Sequence, residues 1–343
     1  MKQIFKIIGY ILLSVLLLSG LLFAYFNLPG PKPRQDVSFG ITFSSRYATS
    51  LGLSWKDTYT ALLDDMRVRK IRIPLYWDLI EKNKGAYDFS DIDWQLNEAQ
   101  KRDAQIILVM GQKVPRWPEC FAPEWASTDD IRRERLLAFE QRVIERYKNH
   151  LEVSMWQVEN EPFLAFGNCP NFKISLLDEE VTLVKKLDTS RPVLTTDSGE
   201  LSVWFHAAAR GDQFGTTMYR DIWSKKFGYI TYPIGPNFFL FKEMVVRLLT
   251  NQTHFMVIEL QAEPWANGWI VDTPLSEQSR TMDEHKLVAN IEYAKQVGFP
   301  EIYLWGAEWW YWMKVEKHSP AVWDTAKQYF SDGAALTKST NVQ

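Results

Sequence analysis

The 343-residue sequence is poor in the side chains that build metal centres and thiol chemistry: it holds two cysteines and five histidines. The histidines are scattered, and neither an H-E-x-x-H spacing nor a G-x-x-x-x-G-K-[ST] loop occurs, which removes the zinc-hydrolase and phosphate-loop readings. Charge of one sign is scarce too. Thirty-nine basic residues stand against forty-two acidic ones, a net charge of −3, so there is no basic field for nucleic acid and no like-charge run that would serve as an interaction tail. No cofactor, no metal and no nucleic acid is expected, and nothing points to an obligate protein partner.

Long apolar runs are confined to one place. Residues 7–28 are apolar almost throughout and follow Lys2 and Lys6, which would hold the N-terminus in the cytoplasm. About 20 apolar residues span a bilayer, whereas a signal-peptide core needs about 7–15. The length favours an uncleaved anchor, and Ala24-Tyr25-Phe26 is a poor cleavage site. Either way the following domain is expected outside the cytoplasm, tethered to the membrane if the segment stays and secreted if it is cut. Pro29-Gly30-Pro31-Lys32-Pro33 cannot continue a helix, because proline lacks the backbone donor, and reads as a short stiff spacer. The expected partition is a transmembrane segment over 1–28, a linker over 29–36, a folded domain over 37–335 and a tail over 336–343. In an exported chain Cys120 and Cys169 can pair, and both fall in loops expected on one face; two unpaired thiols are the alternative.

From residue 37 onward, short apolar runs alternate with longer amphipathic stretches, the pattern of parallel strands covered by helices. Eight runs can be counted, over 37–42, 70–74, 105–110, 153–158, 193–196, 214–218, 255–260 and 301–305. Helical periodicity over 129–149 and 276–296 fills two of the intervals, and the Gly-, Tyr- and Pro-rich stretch 223–236 reads as an inserted loop. Eight strand-then-helix units imply an α/β fold, a closed (β/α)8 TIM barrel behind one N-terminal transmembrane helix. Active groups in such barrels sit at the C-terminal ends of the strands.

Two of those ends carry carboxylates. The fourth run closes on Glu159-Asn160-Glu161-Pro162 and the seventh on Glu259-Leu260-Gln261-Ala262-Glu263. A glutamate at the end of a core strand is partly desolvated, which raises its pKa and keeps a proton ready for donation; Glu161 suits that role. Glu159 reads instead as a salt-bridged rim carboxylate. Glu259 is the second candidate, ahead of Glu263, which belongs to the loop where geometry is held less firmly. Two carboxyls about 5–5.5 Å apart would make a retaining pair, one attacking the anomeric carbon while the other protonates the leaving oxygen.

The Asn160-Glu161-Pro162 ending of the fourth run and the glutamate ending the seventh resemble the large (β/α)8 clan of retaining glycoside hydrolases that includes cellulases and many β-galactosidases. The likeness extends to Arg72, to the Lys84-Gly85-Ala86-Tyr87-Asp88-Phe89 turn and to Leu304-Trp305-Gly306-Ala307-Glu308. It implies Glu161 as acid/base, Glu259 as nucleophile, Asn160 as a donor to the sugar 2-hydroxyl, Arg72 as support for the nucleophile and Trp305 as a floor under the reactive sugar. It further suggests Tyr219 as a hydrogen-bond partner of the nucleophile, with a core tyrosine as the alternative. The chain departs from the better-known cellulases in lacking a histidine between the fourth and seventh strands at the usual place; His206 reads as a packing or surface residue.

Fifteen tryptophans are many for this length. Sugars stack their C–H faces on indole rings, so Trp77, Trp117, Trp265 and Trp305 near strand ends suit carbohydrate, with Glu308 as a further hydroxyl ligand; core filling is the competing use of each tryptophan except Trp305. The expectation is a glycosidase working by double displacement on an extracytoplasmic oligo- or polysaccharide. A transglycosylase would use the same covalent intermediate, and an inactive barrel would bind envelope glycan without cleaving it.

Overall fold

The computed structural model describes residues 2–170 and 172–339. Ten strands follow one another as β1 (Ser38–Thr42), β2 (Lys70–Pro74), β3 (Gln105–Met110), β4 (Val153–Val158), β5 (Val193–Asp197), β6 (Gln213–Met218), β7 (Asp221–Ser224), β8 (Gly228–Thr231), β9 (Phe255–Gln261) and β10 (Glu301–Trp305). Eight of them are parallel and close into a barrel in the order β1-β10-β9-β6-β5-β4-β3-β2. These are the eight apolar runs, shifted by at most one residue at an end.

The period-2 pattern sorts each strand into two faces. Ile107, Met155, Leu194, Met256, Ile258 and Tyr303 cluster as a plug separate from the main core, whereas their neighbours Ile106, Leu108, Trp156, Val158, Val257 and Leu260 join the large core shared with the helices. Strict alternation after Met256 and Ile258 would turn Glu259 outward, toward the helices. The pairing of β9 slips by one residue just before Glu259 against β6 and between Val257 and Leu260 against β10. That irregularity resets the phase and lets Glu259 face the same polar interior as Arg72, the kind of re-aiming that bulges perform beside functional sites.

The helix expected over 129–149 runs Asp129–Tyr147. The one expected over 276–296 is broken: a short turn, Leu275–Gln278, precedes a second helix, Glu284–Val297. Asp283 starts the second helix, its side chain accepting from the Lys286 backbone N–H at 2.8 Å, the capping that ends competition for a continuous helix. Gln278 fastens the first turn by donating to the carbonyls of Ile270 and Thr273. The stretch 223–236 is likewise not an irregular loop, because β7 and β8 pair as an antiparallel hairpin between β6 and the helix Pro236–Leu249.

One helix among the described residues, Lys2–Phe26, is long and apolar enough to cross a membrane or to serve as a signal sequence, and its side chains are largely exposed. Its end is not free. Phe26 sets its ring 5.2 Å from Phe238 and 5.6 Å from Phe241, and Asn237 donates to the carbonyls of Tyr25 and Leu28. Further on, Arg34 donates its backbone N–H to Lys295 and its guanidinium to the Gly298 carbonyl. The linker therefore lies along the barrel as a strap. The last helix, Ala321–Ser339, continues across the start of the expected tail; residues 340–343 lie outside the described residues.

Candidate active site

Polar side chains gather at the C-terminal mouth of the barrel, above the apolar plug. Arg72 on β2 is fully buried and organises them: Nε donates to Gln157 Oε1 (2.7 Å), one terminal nitrogen to Glu259 Oε1 (2.6 Å) and the other to Asn160 Oδ1 (2.6 Å). The second oxygen of Glu259 accepts from the Tyr219 hydroxyl at 3.1 Å. A guanidinium in contact with a carboxylate in a dry pocket orients it and balances its charge.

Glu161 sits on the turn that follows β4. Glu159 and Glu161 both have left-handed backbone, φ 57° and 45°, a conformation that non-glycine residues adopt only when the surroundings impose it. Here the imposition is visible: Glu159 N–H donates to Met110 O, Asn160 N–H to Lys113 O, Glu161 N–H to Thr196 Oγ1, and the Lys113 ammonium to Glu161 O. Among the described residues the Glu161 carboxyl receives only the Thr217 hydroxyl, at 3.1 Å. Burial pushes it well above the usual carboxylate range, and the negative charges of Glu259 and Glu119 push in the same direction. The mouth thus holds one carboxylate fixed by arginine and one carboxyl whose protonated form is favoured by burial and by neighbouring negative charge.

Arg72, Asn160, Glu161, Tyr219 and Glu259, expected to work together, are brought together. Trp305 and Glu308 fall in a neighbouring cluster centred on Arg116. That guanidinium pairs with Glu263 and, at 2.7 Å, with Glu308, and lies between the rings of Tyr47 (3.7 Å) and Trp305 (4.0 Å). Trp305 also donates to Glu263 at 2.8 Å. One face of Trp305 is therefore filled by an arginine, which narrows the sugar floor expected of it, and Glu263 is engaged by Arg116 and Trp305. Trp265 is half-buried with its ring edge-on to Tyr219 at 5.2 Å, and Trp117 is exposed on the rim beside Phe166.

Two expectations are corrected. Trp77 does not line the mouth: it is fully buried, stacked on Phe139 at 5.7 Å, and gives its indole N–H to Glu81. It starts a short helix after β2 whose apolar face turns into the core. Glu159 is no salt-bridged rim group. Its fully buried carboxylate accepts from the backbone N–H groups of Gln112 and Lys113, at 2.9 and 2.7 Å, beneath Gly111, where an added Cβ would lie 2.6 Å from the carboxyl carbon. Behind it Glu140 and Glu180 are also fully buried, and burial raises all three carboxyls.

Sequence reasoning missed Arg116, Glu119 and the supporting hydroxyls Thr196 and Thr217. Both charged residues belong to the long loop after β3, which has no periodicity to read. A disulfide joins Cys120 to Cys169, with Cα atoms 5.3 Å apart, and staples this loop to the one after β4. His206 packs its ring against Phe163 at 5.5 Å. Among the described residues no group of three His, Cys, Asp or Glu side chains is arranged to hold a metal ion.

This architecture is a (β/α)8 barrel of the kind found in glycoside hydrolases, with an acidic, arginine-braced mouth. No family model matches the sequence and no curated protein matches it. Among solved structures it is similar to a β-galactosidase from the haloarchaeon Halorubrum lacusprofundi, with 14% identity, TM-score 0.55, and 87% of this chain and 58% of that one covered. A β-galactosidase from Marinomonas ef1 is similar at 13% identity, TM-score 0.56, with coverage of 90% and 61%. A GH5_18 protein from Bifidobacterium longum subsp. longum gives 10% identity, TM-score 0.56, with coverage of 79% and 70%. The chain spans about three fifths of the length of the two β-galactosidases. At these identities the likeness establishes the fold.

Proposed function

We propose that the chain is a retaining glycoside hydrolase with Glu161 as acid/base and Glu259 as nucleophile. The observation that carries this reading is the division of labour between two carboxyls at one barrel mouth: Glu259 is braced by Arg72 and Tyr219, and Glu161 is raised by burial and by the charge of Glu259. Environments that push two titratable groups apart assign a base and an acid. In the first step a Glu259 oxygen forms a bond to the anomeric carbon as the glycosidic C–O bond breaks, and the Glu161 proton goes to the leaving oxygen. In the second, Glu161, now a carboxylate, removes a proton from water, whose oxygen bonds to the anomeric carbon as the bond to Glu259 breaks. Arg72 balances the charge of Glu259 before attack, and Tyr219 keeps its second oxygen oriented. The apolar helix Lys2–Phe26 supports a substrate outside the cytoplasm, with the barrel tethered at the membrane.

A panel of 4-nitrophenyl glycosides assayed with wild type, Glu161→Gln and Glu259→Gln tests the proposal. Losing the general acid is expected to lower turnover by about 10²–10⁴-fold, and losing the nucleophile by at least as much. The first-formed sugar, followed by NMR, should keep the anomeric configuration of the substrate. Inverted product, or wild-type turnover in both variants, would overturn the reading.

A further inference from the structure

Glu119 is a carboxyl group at the mouth that takes no step in the chemistry above and, unlike Glu263 and Glu308, is not paired with Arg116. It lies on the loop after β3, six per cent exposed, with left-handed backbone (φ 76°). Its position is clamped from three directions. Its N–H donates to Arg116 O at 2.7 Å and its carbonyl accepts from Val114 N–H at 2.9 Å. The next residue, Cys120, is bonded to Cys169. On the far side Gly167 lies so close that a Cβ there would fall 2.6 Å from the Glu119 Cβ. A side chain fixed this firmly on a loop is built for a purpose in a site.

A short relay leads from the nucleophile to this group. Arg72 holds Glu259 with one nitrogen and Asn160 Oδ1 with the other, and the Asn160 amide nitrogen points to Glu119 Oε2 at 3.5 Å. A sugar whose C1 is attacked by Glu259 carries C2 one bond away, and the relay through Arg72 and Asn160 makes Glu119 a candidate for meeting the substituent there. Among the described residues no cation forms an ion pair with Glu119, although Lys113 and Arg72 lie near enough for their charges to act on it. Arg72 is committed elsewhere, and the Lys113 ammonium donates to the carbonyls of Glu161 and Leu164. Among the described residues Oε1 of Glu119 accepts no hydrogen bond, while Oε2 has only the long one from Asn160.

On the reading of Glu161 and Glu259 as the catalytic pair, we propose that Glu119 determines specificity at C2 of the reacting sugar, accepting from a hydroxyl or an ammonium there and refusing an acetamido group. An acceptor without a donor is satisfied by either of the first two, and discrimination against a ligand that leaves a buried polar group unpaired is steep. The acetamido group adds a methyl and a carbonyl against a side chain whose Cβ and Cγ are packed beside Gly167. Burial and the neighbouring Glu259 charge push Glu119 up to about 8, and an ammonium at C2 would favour its ionised form.

The test uses the full chain and 4-nitrophenyl glycosides of the gluco, manno and galacto series bearing 2-hydroxy, 2-amino, 2-deoxy or 2-acetamido groups. For wild type the ratio of kcat/KM for 2-hydroxy over 2-deoxy and over 2-acetamido should exceed about 100-fold. In Glu119→Gln and Glu119→Ala both ratios should fall by about 10-fold or more, and the pH dependence of the 2-amino substrate should change by more than that of the 2-hydroxy substrate, because both share the loss of the Glu119 charge beside Glu161 and only the first also loses its ammonium partner. If the variants keep the wild-type ratios, or lose activity on all four groups in equal proportion, Glu119 does not read C2. Should wild type turn over none of these glycosides, the catalytic reading fails by itself; binding of glucosamine, glucose and N-acetylglucosamine, followed by tryptophan fluorescence, then decides the matter, with equal affinities in wild type and Glu119→Gln overturning the assignment.

Discussion

Replacing Arg72 by methionine fills the same volume and removes the charge that balances Glu259. The arginine is fully buried and gives hydrogen bonds to Gln157, Asn160, Glu259 and, at 3.4 Å, Thr42. Once it is gone, the Glu259 carboxylate must stay charged in a dry pocket or take up a proton. An unfolded glutamate titrates near pH 4.3, so holding that proton at pH 7 costs about 2.7 × 1.36, or about 3.7 kcal/mol. This agrees with the cost of about 3–5 kcal/mol for breaking a buried pair on one side. The weakened acceptors on Gln157 and Asn160 add about 1 kcal/mol each. The expected loss at pH 7 is therefore about 5–6 kcal/mol. The sign of the pH effect follows from linkage: in the variant the orphaned carboxyl titrates higher folded than unfolded, so its penalty is absent below about pH 4.3 and grows as pH rises. At pH 5 the proton costs only about 1 kcal/mol, and the gap to wild type should shrink by about 2.7 kcal/mol. Urea unfolding of both proteins at pH 5 and pH 7, followed by tryptophan fluorescence, measures the two gaps. Equal gaps at the two pH values, or a loss under about 1 kcal/mol at pH 7, would refute the argument that Arg72 balances the Glu259 charge.

The buried carboxyls behind β4 give a second pH signature of the opposite benefit. Glu180 shares hydrogen bonds with the carboxyls of Glu140 and Glu159, no cation among the described residues pairs with Glu140 or Glu180, and burial raises both, so in the wild type they cost increasing stability as pH rises above the unfolded value. Glu140→Gln should stabilise by about 1–3 kcal/mol at pH 8 and by less at pH 5; a gain that does not change with pH would reject this. For the disulfide, the bonded cysteines are 49 residues apart, and chain entropy for a loop of that size gives about 4 kcal/mol. The Cys120→Ser, Cys169→Ser double variant should lose about that much in urea unfolding, and a loss below about 1 kcal/mol would show that the loops are held by other means.

The strands were legible because each is an apolar run with its own boundaries, and the barrel followed from their number. Within them, faces were legible only as far as alternation holds. On β9 alternation sends Glu259 outward, and the slip in pairing that corrects this is a property of three strands together, which no single run records. Trp77 misled for a related reason: a tryptophan near a strand end has the same neighbours in sequence whether its helix turns it inward or outward, and burial against Phe139 decided the matter. Glu161 stood out because Asn-Glu-Pro at a strand end is unusual. Arg116 and Glu119 lie between Pro115 and Cys120 in a stretch whose shape is set by loop contacts and the disulfide. Their roles depend on what the chain folds them against, on Trp305 and Tyr47 for one and on Asn160 for the other.

The strap between the apolar helix and β1 changes what a tether means. A loose linker would let a barrel explore a hemisphere around its point of attachment, its range set by linker length. Here Phe26 is fitted between Phe238 and Phe241, and Arg34 is fastened at Lys295 and Gly298, so the slack has been taken in. Whatever surface takes up the helix also dictates the heading of the barrel mouth, as a keel dictates that of a hull. On the proposed glycosidase reading, a glycan must then meet the mouth at the height and angle at which the mouth is mounted.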